Sequence, residues 1–431
     1  MPSKSGFLAV AGVAAAVSAM VYMLFFLPGD PGGDVVPADV ILAHDKGSIP
    51  GFQQLYERQG EKAKQEIGIG FTPVPSWTTD LFINQMEASL PTRDAPELFV
   101  WWSTWRVRGL VEAGLVTDLT FLWDKHEADY PQEVRDAYTI DGRVYGFPYS
   151  IEYWPVFYNK AVFERLGLSP PETWEEFIHV CEVLKDNGVD PILKSFQFDW
   201  YTVMWFAQLI IGQDPAFYVK LCEGEAAYDD PVVEAALGVY ADMLRAGYFS
   251  SPSAKMFTNA GHLWNNERFG MVLCGSWYEK TVLVDQGVDE ASIGAFVLPP
   301  RHPETQTAIM MESGPVFTAR NAVNKDAAEA IADWWMSADG NRHFAEMFGS
   351  YSANTRVDPD YLSPGRKTLL SEIRGRDVKI VNRYWEGTPT PIVAQAMESV
   401  PAFILDLDKK GHVVEVMKNT ADAYWETKEN D

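Results

Sequence analysis

Cysteine is scarce in this chain, and positive charge is in the minority. The 431 residues include three cysteines, Cys181, Cys222 and Cys274, which lie far apart and form no C-x-x-C pair. This spacing excludes a disulfide framework and a structural zinc site, although one long-range disulfide stays open. Lys and Arg number 35 against 60 Asp and Glu, a formal net charge of -25. A surface this acidic repels phosphate, so we expect no nucleic-acid partner and no binding along an anionic membrane.

The motifs of the common enzyme classes are also missing. The seven histidines include no pair spaced by three or four residues, so the sequence offers no helical metal pair. It contains no G-x-S-x-G, no phosphate-binding P-loop and no dinucleotide-binding glycine fingerprint. We therefore expect no metal, no cofactor and no catalytic residues. A glycosidase-like pair among the many carboxylates stays open, because such a pair has no local signature.

Long apolar runs are confined to the N-terminus. Residues 7–27 are 21 uncharged, mostly apolar residues, and a Pro- and Gly-rich linker follows them. At about 1.5 Å per residue such a helix would span roughly 30 Å, the thickness of a bilayer core. The run predicts an export signal, either cleaved or retained as an N-terminal anchor. We expect the rest of the chain in the periplasm or outside the cell, with membrane contact only through this segment.

Aromatic residues and alternating strand and helix signals are what the sequence has in abundance. It holds 15 Trp, 18 Tyr and 24 Phe, which can fill cores or form flat platforms for ligands. Strand candidates at 40–43, 69–74 and 98–102 alternate with helical stretches at 52–66 and 79–90. This is the βαβ pattern of a parallel sheet covered by helices, so we predict an α/β fold. The length favours two or three domains.

The sequence predicts a helix that begins after residue 173. Residues 173–176 (TWEE) have the form of a capping box, which satisfies backbone N–H groups at a helix start. Gly188 is expected to end the helix. Apolar residues at spacings of three and four predict one buried face, made of Trp174, Phe177, Cys181 and Leu184.

A series of short blocks runs through the middle of the chain. Residues 141–148 (DGRVYGFP) are followed by 157–160 (FYNK), 166–168 (LGL) and 173–177 (TWEEF). Their order resembles the signature of the extracellular solute-binding proteins of sugar ABC importers, the maltose-binding-protein family. Further blocks resemble the family in the same order, at 95–99 (APELF), 112–119 (EAGLVTDL), 270–277 (GMVLCGSW) and 314–317 (GPVF).

The resemblance implies a two-lobed α/β fold, the type II or Venus-flytrap class, in which crossover strands join the lobes and a hinge closes them on a sugar. It implies an N-terminal segment at 1–37, a first lobe from 38–149 with 298–350, and a second lobe from 150–297 with 351–431. The function it implies is capture of a mono- or oligosaccharide and delivery to the transmembrane subunits of an ABC permease. We expect a monomer without enzymatic activity.

The first lobe offers candidate ligand contacts after two of its strands. Asp45 and Lys46 follow the first strand at its carboxyl end, where open α/β sheets bind ligands. In the resembling family segment these positions contact sugar hydroxyls. The alternative is a solvated charge pair in a turn that starts a helix. After the third strand, the resemblance implies Trp102 as a stacking platform and Arg106 as a residue facing the ligand.

The second lobe offers a candidate carboxylate in an aromatic stretch. Glu152 has the offset from the blocks at 141–148 and 157–160 that the resemblance assigns to a ligand-binding Glu. Between Ile151 and Tyr153, a buried carboxylate would need a partner. The alternative is a surface carboxylate between the lobes. Tyr153 is expected either to line the cleft or to pack against a lobe.

Further rings complete the expected site. Trp200 and Tyr201 fall where the resemblance implies an aromatic that stacks on the sugar. Trp277 follows Gly275 and Ser276, small residues that let the backbone approach a ligand closely. Trp385 is a further candidate near the C-terminus. For each ring the alternative is a place in the core of a lobe.

Two other hypotheses on function stay open beside sugar binding. One is a carbohydrate-active enzyme, which would need a working pair of carboxylates. The other is the same fold with a non-sugar ligand such as a polyamine or an amino acid, which would call for a dedicated charged clamp. A sugar needs rings for its C–H faces and charged groups for its hydroxyls, and the candidates combine both.

Overall fold

The computed structural model describes residues 40–49, 51–194, 199–251 and 253–430. The predicted export signal at 7–27 lies outside the described residues. Within the described ranges, no helix combines the length and apolar composition that a bilayer span needs. All three cysteines are described, and each is free and buried, so this structure contains no disulfide between them.

Strands and helices alternate along the described part of the chain. The strands are β1 Val40–His44, β2 Phe71–Pro75, β3 Leu98–Val100, β4 Thr139–Ile140, β5 Arg143–Val144, β6 Phe147–Tyr153, β7 Val156–Asn159, β8 Asp190–Ile192, β9 Phe269–Leu273, β10 Ile293–Phe296, β11 Ala308–Thr318 and β12 Lys379–Asn382. The helices are α1 Phe52–Ile67, α2 Thr79–Ser89, α3 Trp105–Glu112, α4 Thr120–Lys125, α5 Gln132–Asp136, α6 Lys160–Leu166, α7 Trp174–Asp186, α8 Asp199–Gln213, α9 Pro215–Glu223, α10 Pro231–Ala246, α11 Ala260–Asn265, α12 Lys325–Met336, α13 Ala338–Phe348, α14 Pro364–Gly375, α15 Tyr384–Gly387, α16 Thr390–Leu405 and α17 Lys410–Asn430.

The first sheet begins with the predicted βαβ pattern, which is confirmed. Its order is β12-β11-β3-β1-β2, and β6 also pairs with β11. β1 runs parallel to both β2 and β3, with Leu42 opposite Pro73 and Leu98. β1 is buried along almost its whole length, as expected for a parallel strand covered on both faces. The carboxyl ends of these strands therefore meet at one edge, which presents Asp45 and Lys46.

Three other strands of the first sheet pair with β11. It pairs antiparallel with β6 and β3 and parallel with β12. The register shifts between Gly314 and Pro315, where a proline lacks the N–H that a regular ladder needs. The pairing places Glu312 directly opposite Glu152. Two carboxylates thus lie side by side within a sheet, and each needs partners.

The second sheet has the order β10-β7-β9-β8. β7 runs antiparallel to β9 and β10, while β8 runs parallel to β9. The chain passes from the first sheet to the second between β6 and β7, across Trp154 and Pro155, and returns between β10 and β11. β12 belongs to the first sheet, although the resemblance groups 351–431 with the second lobe. The boundaries of the lobes stay predictions.

The helix α7 shows why the local sequence folds as it does. The Thr173 side chain accepts a hydrogen bond from the N–H of Glu176 at 3.2 Å, as predicted from the capping box. The Glu176 carboxylate accepts from the N–H of Glu172 rather than from that of Thr173. Gly188 follows the helix with φ 72°, a left-handed conformation that glycine adopts without strain. The predicted face is buried at Trp174, Phe177, Cys181 and Leu184.

Candidate functional site

Half-buried tryptophans converge on one region of the molecule. All 15 tryptophans are described: eight are buried core residues, Trp77 is exposed and six are half-buried. A half-buried ring has one face in the protein and leaves another accessible, which suits a stacking platform. The half-buried tryptophans are Trp102, Trp105, Trp200, Trp277, Trp385 and Trp425. Four of these are predicted site residues, so partial burial separates them from the core.

Asp45 and Lys46 lie at the carboxyl end of β1. Asp45 is buried at 8% exposure, and its carboxylate pairs with the Lys46 Nζ at 3.0 Å. The Thr79 hydroxyl donates a second bond to Asp45 at 3.4 Å. This burial argues against a pair that is merely solvated in a turn. The pair is positioned by the sheet and by the start of α2, with Lys46 as its more exposed member.

Arg106 lies between two indole rings. Its guanidinium carbon is 5.0 Å from the centre of the Trp102 ring and 4.7 Å from that of Trp385. Burial lowers the pKa of Arg106, and the nearby Glu386 opposes this shift. Its Nε is buried without a hydrogen-bond partner among the described residues. The structure therefore brings three predicted site residues together and leaves one donor unsatisfied there.

The turn between Trp102 and Arg106 is strained at Thr104. Thr104 has φ 51° and ψ -122°, a conformation that costs a non-glycine residue about 1–3 kcal/mol. Two hydrogen bonds hold it: its N–H donates to the Ala137 carbonyl at 3.2 Å, and its hydroxyl donates to the Glu386 carbonyl. Strain of this kind persists only where the surrounding contacts hold the backbone in that conformation. Here the fixed turn lies in the chain between Trp102 and Arg106.

Glu152 is buried, so the structure does not support a surface carboxylate at this position. It is 4% exposed, and the Ser276 hydroxyl donates to its Oε2. Burial raises the pKa of Glu152 to about 8, while Arg366 and the Ser276 hydroxyl act in the opposite direction. Its Oε1 has no hydrogen-bond partner among the described residues.

A charge network, defined as Glu312, Arg383 and Glu386, lies at the centre of the region. Arg383 pairs with Glu312 and donates from Nε to Glu386 at 2.8 Å. The Trp277 Nε1 donates to Glu312 at 2.6 Å. Burial raises the pKa of Glu312, while Arg383 and, more weakly, Lys46 lower it. The carboxyl end of β1 is thus electrostatically coupled to this network.

A ring row, defined as Trp154, Trp200, Phe257 and Trp277, borders the charge network. Trp277 stacks on Phe257 at 6.2 Å with an interplanar angle of 14°. Trp200 follows at 6.0 Å from Phe257 and meets Trp154 edge-on at 6.2 Å. Arg383 lies 5.6 Å from the Trp154 ring centre. The predicted residues Trp200 and Trp277 are therefore parts of one aromatic surface.

Two predicted site residues lie farther inside the protein. Tyr201 is fully buried, and its hydroxyl donates to the Leu193 carbonyl at 3.2 Å. Tyr153 is 8% exposed and meets Tyr351 edge-on at 5.1 Å. Both adjoin the region; the Tyr201 hydroxyl is bonded to a backbone carbonyl, and the Tyr153 ring contacts Tyr351. Their assignment to a ligand stays a prediction.

Sequence reasoning missed the residues that hold this region together. Arg366 pairs with Glu279 at 2.9 Å and also donates to the carbonyls of Ser276 and Gly349, which fixes the loop before Trp277. Glu312, Arg383 and Glu386 were missed as well. The pairs Arg366–Glu279 and Arg383–Glu312 join residues that are distant in sequence, so no local spacing reveals them, whereas Arg383 and Glu386 are three residues apart. The one available signal is the alternation of charge and ring at 383–386 (RYWE).

The region combines aromatic faces, paired charges and unsatisfied polar atoms. Such a set can stack on the C–H faces of a polyol and exchange hydrogen bonds with its hydroxyls. Among the described residues no group of three or more His, Cys, Asp or Glu side chains could hold a metal ion. Glu152 accepts a hydrogen bond from the Ser276 hydroxyl, and Glu312 accepts one from Trp277 and pairs with Arg383.

The comparisons with known proteins all find similarity to solute-binding proteins. The sequence profile of the bacterial extracellular solute-binding proteins matches residues 60–364. An uncharacterized ABC transporter extracellular-binding protein of Pyrococcus horikoshii is 30% identical over 212 residues, which span 48% of this chain and 47% of that relative. This chain therefore covers about half the length of that relative. The multiple sugar-binding protein of Streptococcus mutans is 24% identical over 53% of this chain and 56% of its own.

Solved structures show the same fold. The bacterial solute receptor AcbH, described with a preference for β-D-galactopyranose, superposes with a TM-score of 0.75 at 18% identity, covering 89% of this chain and 98% of that one. A chitin oligosaccharide binding protein gives 0.74 at 17% identity, with 89% and 98% covered. The maltose-bound MalE3 of T. maritima gives 0.69 at 16% identity, with 90% and 99% covered. The predicted two-lobed α/β fold and the family resemblance are confirmed.

Proposed function

The chain belongs to the bacterial extracellular solute-binding proteins, and from this premise we propose that it captures a mono- or oligosaccharide and delivers it to the permease of an ABC importer. It binds its ligand without changing covalent bonds. The relatives and structural neighbours with sugars in their names support a saccharide as the ligand class. The protein acts as an exported monomer, with the segment at 7–27 as export signal or anchor.

The observation that carries the proposal is the placement of Arg106 between the rings of Trp102 and Trp385, beside the charge network. The Nε of Arg106 is a charged donor that is buried without a hydrogen-bond partner among the described residues. Charged donors bind hydroxyls more strongly than neutral ones do. A polyol oxygen entering here would satisfy that donor while its C–H face lies on an indole.

The predicted site residues divide between the two sides of the proposed cleft. The first side supplies Asp45, Lys46, Trp102 and Arg106, and the second supplies Glu152, Trp200 and Trp277, with Trp385 completing the contact to Arg106. A ligand that contacts both sides stabilises the closed state, because the open state lacks half of these contacts. The lobes would be 38–149 with 298–350 and 150–297 with 351–431.

The test is a thermal-shift screen of galactose, maltose, xylo-oligosaccharides and chitin oligosaccharides, with amino acids and polyamines as contrasts. A ligand at 100 times its Kd stabilises the folded state by about 2.7 kcal/mol. For a folded unit of roughly 400 residues, this raises the Tm by about 3 °C. A saccharide should also quench tryptophan fluorescence. A shift with a polyamine or amino acid and none with any saccharide would overturn the proposal.

A pair of variants locates the binding. Trp277→Ala removes a half-buried ring of the ring row and should reduce saccharide affinity at least tenfold. Phe121→Ala removes a ring that is 53% exposed and belongs to neither the ring row nor the charge network, so it should leave affinity unchanged. Equal loss in both variants would contradict the assigned site. Turnover of chromogenic glycosides would instead favour the carbohydrate-active enzyme.

A further inference from the structure

The chain passes from the first sheet to the second at residues 349–351, which we call the hinge segment. Before this segment, α13 packs against α1 of the first sheet, where Phe348 meets Phe52 edge-on at 5.1 Å. After it, α14 packs against β10 of the second sheet, where a Cβ on Gly365 would come within 3.0 Å of the Ile293 carbonyl. A rotation of one sheet relative to the other therefore acts on the hinge segment.

Lys280 reaches the hinge segment from the chain that follows Trp277. Its Nζ donates a hydrogen bond to the Met347 carbonyl in the last turn of α13 at 3.1 Å. Its carbon stem covers Gly349, where a Cβ would come within 2.6 Å of the Lys280 Cδ. Gly349 has φ 74°, so both its backbone and the neighbouring stem favour glycine there. Lys280 thus meets the end of α13 with its amine and the hinge segment with its stem.

A second cation meets the same end of α13. Arg366, in the first turn of α14, donates to the carbonyls of Gly349 and Ser276. The carbonyls at the end of a helix carry partial negative charge, which favours cations there. Burial lowers the pKa of Lys280, and the nearby Arg366 lowers it further. Two cations are therefore held near each other at one helix end in spite of their repulsion.

The backbone between Trp277 and Lys280 leads into a rare type of helix. A π-helix covers Glu279–Val284, and the Asp285 N–H donates to the Lys280 carbonyl, five residues earlier, at 3.2 Å. The Thr281 hydroxyl donates to the Trp277 carbonyl at 2.9 Å. π-Helical turns occur frequently at functional sites. The Trp277 ring and the Lys280 amine therefore belong to one short segment that is joined by its own hydrogen bonds.

We propose that Lys280 is a positioning residue for closure on the ligand, because it links the position of Trp277 to the hinge segment without contacting the sugar. The proposal rests on the proposed sugar-binding function and adds a residue outside the assigned site. A saccharide that stacks on Trp277 holds the π-helix in place, and Lys280 then holds the end of α13 against it. Without the amine the closed arrangement loses this contact, so the bound saccharide dissociates faster.

The test measures the binding of galactose, maltose, xylobiose and chitobiose by calorimetry and by stopped-flow tryptophan fluorescence. Lys280→Met keeps a stem over Gly349 and removes the amine. It should weaken the binding of any saccharide that the wild type binds by about fivefold, the size expected for the net loss of one hydrogen bond, mainly through faster dissociation. Lys160→Met is the matched control and should change nothing, because the Lys160 Nζ also donates to a backbone carbonyl, that of Ala291 at 3.0 Å, away from the hinge segment.

The dissociation rate separates a positioning role from a merely structural one. If Lys280→Met lowers the free energy of unfolding and leaves the dissociation rate unchanged, Lys280 only stabilises the fold, and the proposal is overturned while the proposed function stands. An equal change in Lys160→Met would overturn it as well. If the wild-type protein binds no saccharide at all, the proposed function fails and the role of Lys280 fails with it.

A second variant tests the link between the ring and the amine. Thr281→Val keeps the shape of the side chain and removes its hydrogen bond to the Trp277 carbonyl. It should also speed saccharide dissociation, and it serves as the deciding variant should Lys280→Met fail to fold. A dissociation rate equal to that of the wild type would then overturn the proposal.

Discussion

The Glu152→Gln substitution should stabilise the protein at neutral and alkaline pH. Glu152 is buried beside Glu312 and Glu279, and burial raises its pKa from 4.5 to about 8. Arg366 and the Ser276 hydroxyl reduce this effect without cancelling it. Glutamine has the shape of the protonated acid and carries no charge at any pH. The variant therefore lacks the cost of ionising a carboxylate inside the protein.

The sign and size follow from proton linkage. Below pH 4.5 the carboxyl is protonated in both the folded and the unfolded state, so Glu152 makes no pH-dependent contribution. Between pH 4.5 and pH 8 the unfolded state has released the proton and the folded state has kept it, so stability is lost as the pH rises. Each pH unit costs about 1.4 kcal/mol. The full loss is roughly 5 kcal/mol, and about 4 kcal/mol of it falls between pH 5 and pH 8.

The assay is urea unfolding of wild type and Glu152→Gln at half-unit steps from pH 5 to pH 9. The free energy of unfolding of the variant should exceed that of the wild type by a margin that grows to pH 8 and then stays constant. Glu304→Gln, at an exposed position, is the matched control and should show no such trend. The reasoning would be refuted by a margin that does not change with pH. It would also be refuted if the free energy of unfolding of the wild type rose relative to that of the variant as the pH increased.

Three further outcomes are expected. Arg366→Met leaves Glu279 as a buried carboxylate without its partner, so unfolding free energy should fall by about 3–5 kcal/mol; a loss below 1 kcal/mol in urea titrations would contradict this. Gly224→Ala should destabilise more than Gly167→Ala, because both helix ends have a left-handed φ but only at Gly224 would the new Cβ meet the Trp425 ring; equal melting temperatures would show that this contact yields freely. The three buried thiols, whose pKa values are raised by burial, should be inert to a thiol reagent in the native protein and react only in denaturant; rapid native labelling would contradict their burial.

The regular helices and strands were predicted from local patterns in the sequence. The helix α7 was predicted from its cap and its apolar spacing, and both are present. The strand β3 was expected to run to 102 but ends at Val100, because the chain turns there into the strained Thr104 loop. Sequence periodicity reports which face is buried, but it does not report a turn that is held by a distant carbonyl such as that of Glu386.

The strand β11 shows what local pattern cannot give. Its sequence contains Glu312, Gly314 and Pro315, residues that usually indicate a turn. It is a strand because β3, β6 and β12 pair with it and a register shift absorbs the proline. The partners come from three remote parts of the chain. No window of the sequence contains the interactions that form this element.

The residues of the candidate site also differ in whether they could be predicted from the sequence. The resemblance implied Trp102 and Trp200, and the small residues before it indicated Trp277; the structure shows all three half-buried. The charges that orient them were not predictable, because Arg383 meets Glu312 only after the first sheet has formed. Resemblance to a family supplied the positions of Asp45 and Glu152. The structure supplied their partners.

The central place of β11 also has a consequence for how the chain is made. β3 and β6 find their antiparallel partner only when residues up to Thr318 have been synthesised, which takes about 15–60 s at 5–20 residues per second. For that time the first core cannot close, and its long-range pairing makes closure slow afterwards. Until then the chain lacks the strand that joins β3, β6 and β12, so the first sheet stays incomplete for most of synthesis.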